Sequence, residues 1–202
     1  MCLALIAWQC FADTPLVVGF NRDEFFSRPT DSIKDRGNFI GGLDLVSQGT
    51  WLAVKHCRFS AVTNLRNTFQ PGAISRGQLV REFVSGNETA RDYVEKINYS
   101  QYSHFNLILC DGKDLVVATN PGQMRYVLSP GFYTVTNNEF DGLACDQMLD
   151  NNIDCIFQSL EQQHVRKDST YGTRSSTVVT DVVIERTYDY NGFIQNQLQI
   201  KR

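Results

Sequence analysis

The sequence predicts an α+β fold built on two mainly antiparallel sheets. Three observations predict it. Strand-like runs rich in apolar, β-branched and aromatic residues fall in clusters along the chain. Only two helical stretches interrupt them, at residues 75–97 and 143–163. Turns as short as Asp111-Gly112, Asn120-Pro121-Gly122 and Pro130-Gly131 separate neighbouring runs, and connections that short join antiparallel strands.

In chain order, residues 2–11 are apolar and residues 12–15 carry turn chemistry. A second strand over 16–20 runs on into Asn21-Arg22-Asp23-Glu24. Arg28-Pro29 and the polar stretch to Asn38 read as loop. A glycine-punctuated strand follows around 39–46, then a hairpin from 50–55 and 59–64. Ser75 suits an N-cap, Leu79, Val80, Phe83 and Val84 make one helical stripe, and Gly86 suits a stop. A second short helix over 88–97 places Ala90, Tyr93, Val94 and Ile97 on one face. Four strands are expected at 105–110, 115–119, 125–128 and 132–136. Residues 143–163 form the longest helix candidate, with Asn151-Asn152 as its weak point. Closing strands are expected at 176–180, 182–187 and 193–200. No repeat, linker or low-complexity tract divides the chain, so residues 1–202 read as one domain.

Composition removes several function classes. The chain has 202 residues, 42% hydrophobic and 20% charged, which is globular composition. Nineteen Lys and Arg against 22 Asp and Glu give a net charge of −3, so there is no basic excess to neutralise phosphates and no nucleic-acid partner is expected. The apolar runs fall short of the ~20 residues of a membrane span. Residues 1–12 are apolar, yet the first cation is Arg22 and Trp8-Gln9 sit inside the stretch, so a secretory leader is not expected. Six cysteines, widely spread and without a C-x-x-C pair, suit a cytoplasmic protein with reduced thiols.

Cys2 is the most informative residue. Removal of Met1 would leave a thiol and an α-amine on one carbon skeleton, and an α-amine of reference pKa ~7.7–8.0 can serve as base for its own thiol. The plain alternative is a packed cysteine. Asn21-Arg22-Asp23-Glu24, at the end of the second strand, offers carboxylates to orient that amine, or simply a solvated strand end. Metal chemistry is not expected. His56 and Cys57 are adjacent and so point to opposite faces of a strand, and His104 and His164 lack partners at ligand spacing. No C-x-x-C-H motif is present for covalent haem attachment.

One resemblance covers essentially the whole chain. Its residues are Met1-Cys2, the run Gly19 to Thr30, Gly41-Gly42-Leu43-Asp44, Gly49-Thr50-Trp51-Leu52, Ala61 to Arg66, Ser75-Arg76-Gly77 and Tyr171 to Thr177. In this order they resemble the NRDE family, also called the transport and Golgi organisation family. The resemblance implies an N-terminal-nucleophile-hydrolase-like fold, a four-layer αββα sandwich. It also implies an association with haem trafficking and with lipid or acyl-CoA handling.

A more distant resemblance bears on mechanism. Cysteine N-terminal-nucleophile hydrolases, such as bile salt hydrolases and penicillin V acylases, also begin Met-Cys and end their second strand in Gly-Arg-Asn-x-Asp. Here Gly19-Phe20-Asn21-Arg22-Asp23 is similar, with Phe20 in place of the arginine. The resemblance implies Cys2 as nucleophile, Asp23 as orienter, Asn64 and Asn137 as oxyanion or positioning groups, and Arg174 as a late active-site arginine. Asn64 and Asn137 also fit ordinary turn positions. Asn21, Arg22 and Glu24 are candidate ligand-binding residues. Alternation lets only one of Arg22 and Asp23 face Cys2 in a regular strand, so the strand is expected to end or bulge there.

Two functions follow as expectations. One is a cysteine amidohydrolase acting on a non-peptide C–N bond of a small-molecule amide. The other is a non-catalytic carrier of an amphipathic anionic ligand, haem or an acyl-CoA or lipid-like molecule. No cofactor is required by either, and haem enters only as a non-covalent ligand.

Overall fold

In the computed structural model, which describes residues 2–65, 72–120, 122–145, 149, 151–164 and 169–201, the chain is α+β. The elements run Leu3–Trp8 (β1), Leu16–Phe25 (β2), Thr30–Asp35 (β3), Ile40–Asp44 (β4), Leu52–Lys55 (β5) and Arg58–Asn64 (β6). Two helices follow, Arg76–Ser85 (α1) and Ala90–Lys96 (α2). Then come Phe105–Cys110 (β7), Leu115–Asn120 (β8), Arg125–Val127 (β9) and Gly131–Val135 (β10). Ile153–His164 (α3), Tyr171–Val179 (β11), Val182–Tyr188 (β12) and Ile194–Lys201 (β13) close the chain. The strands form two sheets, and every ladder among them is antiparallel. Contacts divide the chain into two compact units.

The first unit comprises Met1–Pro29, Pro130–Thr136 and Leu143–Arg202. Its sheet has the order β10-β1-β2-β11-β12-β13, so β2 finds its partner β11 far away in sequence. Strand alternation sends Leu3, Leu5, Ala7, Val17, Val178 and Ile184 to one face, where Ile156, Phe157 and Leu160 of α3 pack on them. Each of these side chains other than Ala7 contributes roughly 1.5–3 kcal/mol when fully buried.

The second unit comprises Thr30–Ser129 and Asn137–Gly142. Its strands β3 to β9 lie in sequence order, each paired with the next. The stripe Leu79, Val80, Phe83 and Val84 of α1, with Ala90 and Val94 of α2, covers Ala53, Val62, Leu107, Leu109 and Val116. Gly86 ends α1, its N–H donating to the Glu82 and Phe83 carbonyls. Ser75 occupies the N-cap with no side-chain bond, whereas Thr89 caps α2 by accepting from Asp92 N at 3.1 Å. Two glycines of the sequence motifs have steric reasons. A Cβ on Gly42 would lie 2.0 Å from the Trp51 ring, and one on Gly77 would lie 2.7 Å from Thr50 N. The second contact lets the start of α1 rest directly on the backbone beside Thr50.

Four expectations are corrected. The stretch read as loop before Asn38 contains β3, whose one buried apolar residue, Ile33, gives too little periodicity to be seen. The helix expected over 143–163 begins only at Ile153, with Asn152 Oδ1 accepting from Asp154 N and Cys155 N. Residues 146–148 and 150 of that expectation lie outside the described residues. The strand expected to begin at 176 begins at Tyr171. Lastly, β2 runs unbroken to Phe25, and the irregularity sits on its partner β11, between Thr173 and Ser175.

Candidate functional site

The β1–β2 hairpin brings the chain start to the far end of β2. Its register pairs Leu3 with Asn21, so Cys2, one residue before β1, reaches the Arg22–Asp23 peptide. The thiol is buried, 8% exposed, and donates to the Asp23 carbonyl oxygen across 3.7 Å. The same oxygen accepts from the Tyr171 hydroxyl at 3.2 Å. The Asp23 carboxylate is held by a second residue of β11, whose Thr173 Oγ1 donates to Oδ1 at 2.7 Å. The pairing Thr173 with Asp23 brings these side chains to one face.

Asn21 is engaged on both ends of its side-chain amide. Its Nδ2 donates to the Leu160 carbonyl of α3 at 3.2 Å, and its Oδ1 accepts from Ser176 Oγ at 2.6 Å. The Tyr188 hydroxyl stands 3.0 Å from Ser176 Oγ and 3.2 Å from Glu161 Oε1. Burial pushes that phenol up to about 12. Asn21 thus ties β2 to α3 and β11 through a buried polar chain.

Arg22 lies on the opposite face from Asn21 and is 4% exposed. Its neighbour across the ladder is Ser175, and Thr177 and Glu185 share that face by register. All four are buried. Ser175 Oγ and Thr177 Oγ1 are buried with no hydrogen-bond partner among the described residues.

Arg174 is the extra residue of the irregularity. Its Nη1 donates to the carbonyls of Phe25, Phe26 and Arg28 at 3.0, 3.2 and 3.1 Å. Its guanidinium also stands over the Phe26 ring, 5.4 Å from the centroid. Burial lowers its pKa and nearby Glu24 opposes that shift. Glu24 accepts from Phe25 N at 2.9 Å and stands 3.8 Å from Arg28 Nε. Arg174 and Glu24 therefore organise the turn that follows β2.

Asn64 and Asn137 belong to the second unit, where they meet each other. The Asn137 amide donates to the Asn64 carbonyl, while the Asn64 residue is itself exposed. Asn106, not singled out by the sequence, anchors the same segment. Its Nδ2 donates to the Asn138 carbonyl at 2.7 Å and its Oδ1 accepts from Phe140 N at 3.2 Å.

Sequence reasoning gave Tyr171, Thr173, Ser175 and Thr177 only as part of the family-like run, with no role for any of them, and missed Glu185. The available signal was the run Tyr171-Gly172-Thr173-Arg174-Ser175-Ser176-Thr177 leading into Val178-Val179, a polar but β-branched start to a long strand. Among the described residues no group of three or more His, Cys, Asp or Glu side chains is placed to hold a metal. No described helix is long and apolar enough to cross a membrane.

Comparison with known proteins adds to this geometry. The model of a family described as Transport and Golgi organisation 2 matches residues 1–148, which includes Cys2 and Asp23 but stops short of β11. A Transport and Golgi organization 2 homolog of Mus musculus is 32% identical over 138 residues, 60% of this chain and 50% of that protein. The Homo sapiens homolog is 33% identical over 138 residues, with the same shares of 60% and 50%. The Drosophila melanogaster protein is 33% identical over 109 residues, 46% of this chain and 38% of its own. The chain spans about half the length of the curated relatives it matches in mouse and human.

Proposed function

We propose, from the premise that the chain belongs to the Transport and Golgi organisation 2 family, that the Cys2–Asp23 corner is the centre of an N-terminal-nucleophile-type amidohydrolase site. The substrate class is a small-molecule amide with a non-peptide C–N bond. The observation that carries the reading is the buried Cys2 thiol on the Asp23 peptide, with the Asp23 carboxylate fixed by Thr173.

The chemistry follows from those residues. Loss of Met1 turns the Cys2 nitrogen into an α-amine. That amine takes the thiol proton, and the sulfur attacks the amide carbon. The C–N bond breaks as the leaving amine takes the proton, which leaves a thioester on Cys2. Water attacks the thioester, the acid departs and the thiol is restored. The Asp23 carboxylate favours the ammonium form of the amine during the first step. Its test is an amide-substrate screen with intact protein and Cys2→Ser, with the intact mass showing that Met1 is absent. Turnover by the intact protein alone supports the reading. Equal turnover by Cys2→Ser, or none by either, removes it.

A second reading is favoured by one observation, the buried Arg22 with the Ser175 and Thr177 hydroxyls on its sheet face. A fixed cation beside hydroxyls suits the carboxylate or phosphate of an amphipathic ligand such as haem or an acyl-CoA, held without turnover. Spectral titration with haem, unaffected by Cys2→Ser, is the expected result for a carrier. A flat titration removes haem from this reading.

A further inference from the structure

We propose that Thr173 is a positioning residue for Asp23, put in place by the extra residue at Arg174, and that Tyr171 completes the arrangement by holding the Asp23 backbone. The inference rests on the reading of Cys2 as the reactive thiol.

The register carries the argument. On one side of the irregularity Ser175 pairs with Arg22, and on the other Thr173 pairs with Asp23. An unbroken ladder continuing from Ser175 would put Arg174 opposite Asp23. The extra residue removes a guanidinium from that carboxylate and substitutes a hydroxyl, and re-aiming one side chain is a typical consequence of a bulge. The two donors differ in kind. A guanidinium would fork onto both carboxylate oxygens and neutralise the charge. The Thr173 hydroxyl instead donates to Oδ1 at 2.7 Å and brings no positive charge to the carboxylate. Arg174 is meanwhile directed to the carbonyls of Phe25, Phe26 and Arg28.

Tyr171 acts on the other half of the same residue. Its hydroxyl donates to the Asp23 carbonyl oxygen, the acceptor of the Cys2 thiol. Edge-to-face contact with Phe25, 5.1 Å between centroids, fixes the phenol ring. Carboxylate and carbonyl of Asp23 are therefore each set by one residue of β11, the strand paired with β2.

The test uses the full chain, its loss of Met1 verified by intact mass. The alkylation rate of Cys2 by iodoacetamide is followed from about pH 5 to 9, spanning amine and thiol titration. Peptide mass mapping separates Cys2 from the exposed Cys57, the internal reference, and from the buried Cys110, which reports unfolding. Thr173→Val is expected to slow Cys2 by about 10-fold and to displace its pH profile, the scale of a hydrogen bond to a charged group. Thr173→Ser restores both, and Cys57 is unchanged throughout. Superimposable profiles for wild type and Thr173→Val overturn the proposal, as does a wild-type Cys2 that fails to react. Should Thr173→Val expose Cys110, Tyr171→Phe replaces it under the same criteria. Alkylation needs no amide substrate, so a chain that hydrolyses nothing yet shows the Thr173 dependence refutes the hydrolase reading alone.

Discussion

Ser176 and Asn21 stand 155 positions apart in sequence and are joined by a buried 2.6 Å hydrogen bond from hydroxyl to amide oxygen. That bond lies at the centre of a chain running from the α3 carbonyl of Leu160 through Asn21 and Ser176 to Tyr188 and Glu161. It places Asn21 in the architecture that holds the end of β2, two residues before Asp23 and opposite Leu3, the residue after Cys2.

Asn21→Ala removes a donor and an acceptor together and leaves Ser176 Oγ and the Leu160 carbonyl with one partner fewer. Stability is expected to fall by about 1–3 kcal/mol, the cost of unsatisfied buried polar groups. Urea unfolding of the variant checks this. A wild-type midpoint would show that the chain of bonds contributes nothing to folding.

Arg22→Gln removes the cation from the buried sheet face while keeping a side chain of similar length. Binding of haem, the probe of the carrier reading, is expected to weaken by about 1.5–3 kcal/mol, the scale of a charged hydrogen bond. Spectral titration of both proteins measures it. Equal affinities would take Arg22 out of the ligand site.

Arg174→Lys tests the turn after β2. A lysine keeps the charge, but its shorter reach and compact ammonium lack the planar guanidinium whose Nη1 meets the Phe25, Phe26 and Arg28 carbonyls while its plane covers the Phe26 ring. Protease cleavage within residues 25–28 is expected to accelerate several-fold, with stability reduced by about 1–3 kcal/mol. Cys2 alkylation should be unchanged. A loss of Cys2 reactivity without faster cleavage would return Arg174 to the reacting centre.

Tyr188 gives a pH dependence with a definite sign. Burial raises its phenol from 10.0 to about 12, so the folded chain keeps the proton where the unfolded chain has lost it. The stability tied to this group is complete below about pH 10 and is lost as the pH rises toward about 12. Urea midpoints across that window should therefore fall less steeply for Tyr188→Phe than for wild type. Identical slopes would mean that the phenol titrates alike in both states.

The fold was legible wherever alternation or helical spacing was clean. β1, the start of β2, β7 and β8 are continuous buried runs, and the stripe of α1 follows a single face. The first half of β11 was not legible, because Thr173, Ser175 and Ser176 are polar residues buried in a strand and polarity in sequence reads as exposure. Cys2 and Asp23 were legible from residue type and order. Their supports, Thr173 and Tyr171, were not, because an insertion that shifts a ladder by one residue leaves no trace in the spacing of side chains. Arg174 was singled out by resemblance to a late active-site arginine, whereas its partners are backbone carbonyls, which no sequence pattern marks.

The pairing of β2 with β11 also has a consequence in time. At ~5–20 residues per second of synthesis, the 155 positions between Asn21 and Ser176 take roughly 8–30 s to make. Through that interval the Cys2 end of β2 has no β11 beside it, and neither Thr173 nor Tyr171 yet exists to hold Asp23. The nascent N-terminus is therefore open to processing enzymes and to oxidants before the folded chain buries it.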